Sequence, residues 1–466
     1  MLRLTMACGV VIAHAGPLGF GQPNIGASLF GQQSDLGTLC LYGFFLISGF
    51  LVTDSALRST LRQYVQARAL RVLPGLWVCL LVTAFVFAPL VALYERGTLD
   101  GFWGHPQGPL DYVTTNFAAS MEQFPISGLL ADTPYGKLGG GPSAFDGSLW
   151  TLRYDLALYG VLGVLMVTSV LRRAPRAVLV LTAICYALIM RDALTASSWS
   201  ARPPQHGAIG PFPLIGAFAA DWMLIFSFLF LLGAAARLYA HRIPARRELA
   251  VLASALLLGS LWWGGFFAVG VPAFAYLLLF AAVTLPKRLS RISRRHDFTY
   301  GIYIYGFPVQ QGIALLGGAR FGMITYIALS LLGTMLFAVL SWYLVERPAL
   351  AFKTGSSRSR RRSTQGRLAS GALPAPITGS TGRPSRVGAG RRTASPRHRR
   401  STKTGATTVA APLRSWSYPE SMSFLAKSDN SPPRVVVPIP GTGGSVAPGK
   451  PGRSRPSRGA TSKPPR

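Results

Sequence analysis

The chain has 466 residues, 50% of them hydrophobic, and carries 47 Lys and Arg against 16 Asp and Glu, a formal net charge of +31. Several apolar runs approach the ~20 residues that cross a bilayer, so a water-soluble globular domain is excluded as a description of the whole. Cys8, Cys40, Cys79 and Cys185 lie in apolar runs with neither metal-ligand nor Cys-x-x-Cys spacing, which argues against a cysteine metal centre and favours buried structural thiols.

Ten spans are predicted in chain order: Leu4 to Gly16, Thr38 to Val52, Val72 to Leu93, Ser148 to Val170, Ala177 to Met190, Leu214 to Ala235, Leu249 to Trp262, Phe266 to Leu285, Phe298 to Leu316 and Phe321 to Val345. The fifth is short. The seventh and eighth form a hairpin around Gly264 and Gly265. Only Met1 and Leu2 precede Arg3, which points to a start upstream of Met1; no cleavable signal is read, since the first span belongs to the body. The expected fold is an all-α polytopic membrane protein with a transmembrane domain over 1–352. From Lys353 the composition turns to Ser, Pro, Gly, Thr and Arg, with 23 Lys and Arg against Glu420 and Asp429. Such a segment buries too little apolar surface to fold, and 353–466 reads as a disordered basic tail.

Charge orients these spans. Arg58, Arg62, Arg68 and Arg71 lie between spans two and three, Arg172, Arg173 and Arg176 between four and five, and Arg237, Arg242, Arg246 and Arg247 between six and seven. Lys287, Arg288, Arg291, Arg294 and Arg295 follow span eight, and the tail follows span ten. All fall on one side, so both termini are expected in the cytoplasm. The long outer segment from Tyr94 to Gly147 serves either as a lid or acceptor platform or as a mobile surface loop. For the tail, a solvated extension, association with the membrane lipid surface, and binding to an acidic protein stay open; no specific nucleic acid is predicted.

The candidate chemistry lies inside the spans. Arg3 and His14 are eleven residues apart, about three helical turns, so they share a face roughly 16 Å apart. An arginine in a membrane costs at least about 2.5–3.5 kcal/mol on insertion scales, which argues for function; the alternative is a snorkelling Arg at one interface and a headgroup-level His at the other. Ser48 and Gly49 in Phe44-Phe45-Leu46-Ile47-Ser48-Gly49-Phe50-Leu51 permit close helix packing. Arg68 and Arg71, at i and i+3, project from one side at the cytoplasmic interface and suit phosphate binding or simple anchoring. Ser148-Leu149-Trp150-Thr151-Leu152-Arg153-Tyr154-Asp155 puts Asp155 at a depth comparable with His14. If their helices neighbour, Asp155 can orient the imidazole; otherwise it neutralises Arg153 or Arg3. Asp221 is a further buried-acid candidate. Tyr300 to Pro308 and Val345-Glu346-Arg347-Pro348 complete the set.

Taken in this order, these motifs resemble the acyltransferase 3 family of membrane O-acyltransferases, over Met1 to about Phe352. Arg3-x10-His14 resembles that family's first-span signature, Phe44 to Leu51 its FFxxSGFL segment, and Arg68, Arg71 and Pro74 its basic loop. Ser148 to Asp155 is similar to SLWSLxxE, Tyr300 to Pro308 to SYGIYLxHxP, and Val345 to Pro348 to the terminal VERP. Asp155 stands where the family usually has Glu, and Gly306 where many members carry His, so no role of that second His carries over.

The resemblance implies transfer of an acyl group from acyl-CoA, as co-substrate with no bound cofactor, to a hydroxyl of a cell-surface glycan or glycolipid. His14 would be the general base, or less directly an acyl carrier, with Asp155 orienting it. Arg3 would bind the donor or stabilise the thioester oxyanion, with Arg68 and Arg71 on the donor phosphates. Two other readings stay open: a transporter or flippase using Arg3, His14 and Asp155 as an ion path, against which no paired broken helices are seen, and an inactive scaffold with a recruiting tail.

Overall fold

The computed structural model describes residues 1–200, 206–285 and 297–352. The basic run from Lys287 to Arg295 and the proposed tail 353–466 lie outside the described residues. What is described is mostly helical. The long helices are α1 (Leu2–Phe20), α2 (Leu36–Arg58), α3 (Leu61–Arg96), α4 (Gly147–Val167), α5 (Pro175–Thr195), α6 (Ala220–Leu238), α7 (Arg247–Trp263), α8 (Phe266–Thr284), α9 (Thr299–Leu315) and α10 (Met323–Phe352). Eight of them, all but α7 and α9, are long and apolar enough to cross a membrane. The 17-residue α7 and α9 fall where the seventh and ninth spans are expected. Rows of exposed apolar side chains, such as Val180, Ile184 and Leu188 on α5 and Ile324, Leu332 and Leu336 on α10, are surfaces for lipid rather than water.

Local chemistry sets the helix ends. The Asp35 carboxylate caps α2 by accepting from the Thr38 N–H at 2.9 Å. A reciprocal capping box between Thr60 and Gln63 starts α3 at Leu61. That start corrects the third predicted span: Arg68 and Arg71 lie within α3 rather than in a loop, because the cap nucleates the helix before its apolar stretch begins. Helix α3 runs on for 36 residues through a wide π turn at Thr83–Phe87. The predicted sixth span is also corrected. Its first residues lead into β2 (Gly216–Ala219), which pairs antiparallel with β1 (Ala208–Phe212) just upstream, and α6 begins only at Ala220. Helix α5 is longer than expected, at 21 residues. Between α7 and α8 the chain reverses at Gly264 and Gly265, with φ of 92° and 81° that only glycine adopts without strain.

Packing places α1 against α2, α9 and α10, and α4 against α2, α3 and α6. The first turn of α4 also meets α9, so α2 and α9 are both neighbours common to α1 and α4. The closest approach of α2 is to α6: a Cβ added at Gly49 would run into the Phe230 carbonyl, and one at Gly233 into the Leu46 carbonyl. This is the small-residue contact that lets membrane helices pack at backbone distance. The segment from Tyr94 to Gly147, named the outer segment for the side on which it is expected, is a packed structure. Phe102, Tyr112, Ile126, Leu129 and Phe145 are buried in the main hydrophobic cluster, and two short helices, Pro109–Asn116 and Pro134–Gly139, lie within it. Cys79 is buried, whereas Cys8, Cys40 and Cys185 are partly exposed, which corrects the expectation that all four thiols are buried; all are free.

Candidate active site

At one end of α1, three arginines and two carboxylates gather inside the protein. Arg71, on the third turn of α3, is 1% exposed. Its Nη1 donates to Glu346 Oε2 at 3.0 Å and its Nη2 to Asp297 Oδ2 at 3.0 Å. Its guanidinium lies 5.5 Å from the centre of the Tyr300 ring. Arg3 reaches the same Asp297 oxygen with Nη1 at 3.6 Å. Arg3 is also buried, and its Nε and Nη2 have no hydrogen-bond partner among the described residues. Asp297 lies two residues before α9. Burial alone would push its carboxyl up, but Arg71 and Arg3, helped by Thr299, hold it below the usual range. Glu346 is further held by the Ser341 hydroxyl at 3.1 Å. Arg68, one turn before Arg71, donates to Ser55 Oγ at 3.5 Å, lies 5.9 Å from the Tyr159 ring centre and is within electrostatic reach of Asp155.

Buried guanidinium N–H groups without acceptors are costly. Arg3 therefore presents an unsatisfied cationic edge beside a pair of carboxylates already committed to Arg71. An anion with several oxygens, such as a phosphate, matches that edge.

Farther along α1, His14 is 3% exposed. Its ring meets Phe307 of α9 edge-on, with centroids 5.6 Å apart, and Tyr135 of the outer segment also meets Phe307 edge-on, at 5.5 Å. Gln310 Nε2 donates to the Val11 carbonyl at 2.9 Å and so ties α9 to the turn of α1 that carries His14. At Gly306 an added Cβ would stand 3.2 Å from Val11. The closeness of α1 and α9 here leaves little room for a histidine at that position.

Asp155 is 2% exposed. Ser148, Thr151, Asp155 and Tyr159 are spaced by three and four residues and form one polar stripe on α4. At its start, Ser148 Oγ donates to the Tyr303 carbonyl at 3.2 Å while the Tyr303 hydroxyl donates to the Ser148 carbonyl. At its far end, the Tyr159 and Ser48 hydroxyls are 3.4 Å apart. Ser48 therefore marks a polar contact as well as a packing one. Asp221, the other acid singled out in the sequence, is only half-buried at the start of α6.

The structure brings Arg3 and Arg71 together on one carboxylate and puts Arg68 beside Tyr159. Sequence reasoning missed two acids, Asp297 and Asp146. Each directly precedes a motif, Phe298-Thr299-Tyr300-Gly301 in one case and Gly147-Ser148-Leu149-Trp150 in the other. The available signal was scarcity: with 16 acids in the chain, a lone carboxylate at the mouth of an apolar segment is worth pairing with an intramembrane arginine.

Comparison with known proteins supplies the identity. A family model described as an acyltransferase domain matches residues 1–343. Nodulation protein 10 of Rhizobium leguminosarum bv. viciae is 30% identical over 376 residues, covering 76% of this chain and 93% of that protein. An O-acetyl transferase of Shigella phage Sf6 is 26% identical over 350 residues, covering 74% and 93%. No solved structure matches the chain. With the buried Arg3, His14, Arg68 and Arg71 set in an apolar helical body, these matches establish that the chain belongs to the acyltransferase 3 family and is a membrane acyltransferase that moves groups other than aminoacyl groups.

Proposed function

We propose that this protein transfers an acyl group from acyl-CoA to a hydroxyl of a cell-surface glycan or glycolipid at the cell membrane, with His14 as general base. The observation that carries this reading is the pairing on one helix of a buried imidazole with a buried, unsatisfied guanidinium about three turns away. The cationic end suits the phosphates of the donor, with Arg3 offering the open edge and Arg68 beside it. The thioester then extends along α1 toward His14.

There the imidazole takes the acceptor hydroxyl proton as its oxygen attacks the thioester carbonyl carbon. The tetrahedral oxyanion collapses, the carbon–sulfur bond breaks, and the thiolate leaves with a proton returned from the imidazolium. Asp155 keeps the imidazole in the competent tautomer and stabilises its charged form, acting from the polar stripe of α4. The O-acetyl transferase relative supports an oxygen acceptor. The reading takes ten crossings, counting α7 and α9; the positive-inside rule then supports both termini and the basic loops in the cytoplasm and the outer segment outside. The tail then lies beside the cytoplasmic leaflet, where basic residues gain on the order of 1 kcal/mol each from anionic lipid.

The test is mass spectrometry of surface glycans from cells with and without the gene. An ester-linked acyl group should vanish on deletion, return with the wild-type gene and stay absent with His14→Ala at equal membrane abundance. Unchanged glycans on deletion would overturn the acceptor class, and rescue by His14→Ala would overturn the base.

A further inference from the structure

Asp146 takes no part in the scheme above, yet it is one of the most enclosed acids in the protein, with no exposed surface. The hydroxyls of Thr83 and Tyr112 both donate to Oδ2, each at 2.8 Å, and the Cys79 thiol stands 4.0 Å from the same oxygen. Oδ1 is buried and has no hydrogen-bond partner among the described residues. The titratable groups that face it are Cys79 from α3, Tyr112 from the outer segment and Tyr305 from α9. No cation is paired with it among the described residues. A carboxylate so placed is poorly solvated, and the neutral acid is the form such a pocket favours. Burial pushes the carboxyl up to about 7, against the pull of the two hydroxyls. Tyr112 is kept neutral by its own burial, with the Asp146 charge adding to it.

Position adds to this. Thr83 opens the wide turn of α3, Tyr112 lies on the first short helix of the outer segment, and Asp146 closes that segment and leads into Gly147. Gly147 sits against the Phe307 ring so closely that no Cβ fits between them. Phe307 in turn meets His14. One carboxyl therefore ties α3 to two points of the outer segment, one residue away from the contact that seats the His14 ring.

We propose that Asp146 is a positioning residue that works as the neutral acid, pinning the outer segment to α3 and so holding Phe307 against His14. Ionisation weakens the pin, since it leaves a buried charge with only two hydroxyl donors. The pin itself stands on the geometry of Asp146, Thr83 and Tyr112; its effect on transfer rests on the reading of His14 as the base.

The experiment compares the wild type with Asp146→Asn, which keeps an acceptor for both hydroxyls but cannot ionise, and with Asp146→Leu, which loses the acceptor. Each carries Leu129→Cys, at a fully buried position of the outer segment, with Cys8, Cys40 and Cys185 changed to Ser, and the label is read at position 129 by peptide mapping, apart from Cys79. Labelling by a membrane-impermeant maleimide reports opening of the segment. At each pH the wild type is divided by Asp146→Asn, so thiol ionisation cancels. The ratio should rise toward pH 7, by at most about tenfold per pH unit, and level off above it. Asp146→Leu should label fast throughout. In the purified full-length enzyme, acyl transfer by the wild type should fall as pH rises through about 7, and the Asn variant should lack that alkaline limb.

A flat labelling ratio would overturn the pin. A rising ratio with superimposable transfer profiles would overturn the link to His14. An active His14→Ala enzyme would sink the base assignment while leaving the labelling result intact.

Discussion

Arg71 of α3 and Glu346 of α10 meet at 3.0 Å across 275 positions of chain, both shut away from solvent. The contact closes the cationic cluster from the C-terminal side. With Asp297 on the second nitrogen of the same guanidinium, α3, the start of α9 and the end of α10 are fastened to a single side chain.

Breaking such a pair from one side leaves the partner charged and buried. Glu346→Ala should therefore destabilise the protein by on the order of 3 kcal/mol, read as a drop in apparent Tm of the detergent-solubilised enzyme. Arg71→Lys should also lose stability, because one ammonium cannot serve two carboxylates with a planar fork. A Glu346→Ala protein as stable as the wild type would show that Asp297 alone suffices for Arg71.

Asp297 gives the cluster a pH dependence of defined sign. Its carboxyl is held below the usual 3.8 in the folded protein. It contributes stability that is fully present above the unfolded value and is lost as pH falls through the folded one. Acid titration of thermal stability should show the wild type losing ground below about pH 4 relative to Asp297→Asn, which starts lower at neutral pH and lacks this loss. Parallel curves would remove Asp297 from the acid response.

His14→Ala should lower acyl transfer by roughly 100-fold or more, the usual worth of a general base, with insertion and Tm little changed. Activity within a few-fold of wild type, measured on purified protein, would exclude His14 from the chemistry.

The α2–α6 contact predicts intolerance of a single methyl. Gly49→Ala or Gly233→Ala forces two helix backbones apart and should cost at least about 1–3 kcal/mol; the double variant should cost less than the sum, since one separation relieves both clashes. Additive losses would point to independent defects.

Orientation is open to a direct check. Asp132 is exposed on the outer segment and Arg173 at the start of α5. Asp132→Cys should react with an impermeant reagent on intact cells and Arg173→Cys only after lysis. The reverse pattern would invert the topology.

Much of this was readable from the chain. Apolar runs and their flanking arginines located the helices, because bilayer thickness and charge placement act on local sequence. The Arg3–His14 relationship followed from helical geometry alone. What was not legible depended on tertiary approach. Nothing local says that residue 297 reaches residues 3 and 71. Nor does the outer segment carry a periodicity that would announce the burial of Phe102, Tyr112 and Phe145; irregular backbone is packed residue by residue, without a repeating face. Arg68 and Arg71 looked like loop residues because polarity hid the capped start of α3.

The wide turn at Thr83–Phe87 has a consequence for how this family member tolerates insertions and deletions. Beyond it, Glu95 accepts from the Leu130 N–H at 3.2 Å and Arg96 donates to the Ser127 carbonyl. A residue lost within the wide turn leaves Ala88–Arg96 in phase, because a π turn carries one residue more than the α-helical ladder needs; one lost elsewhere between Arg71 and Arg96 would rotate Ala88–Arg96 by about 100° about the axis. Glu95 and Arg96 would then face away from the segment they hold. Helix α3 thus measures its length by residue count from Arg71 to Arg96. Single-residue length changes should be found in the surface connections and, within this stretch, only at the wide turn.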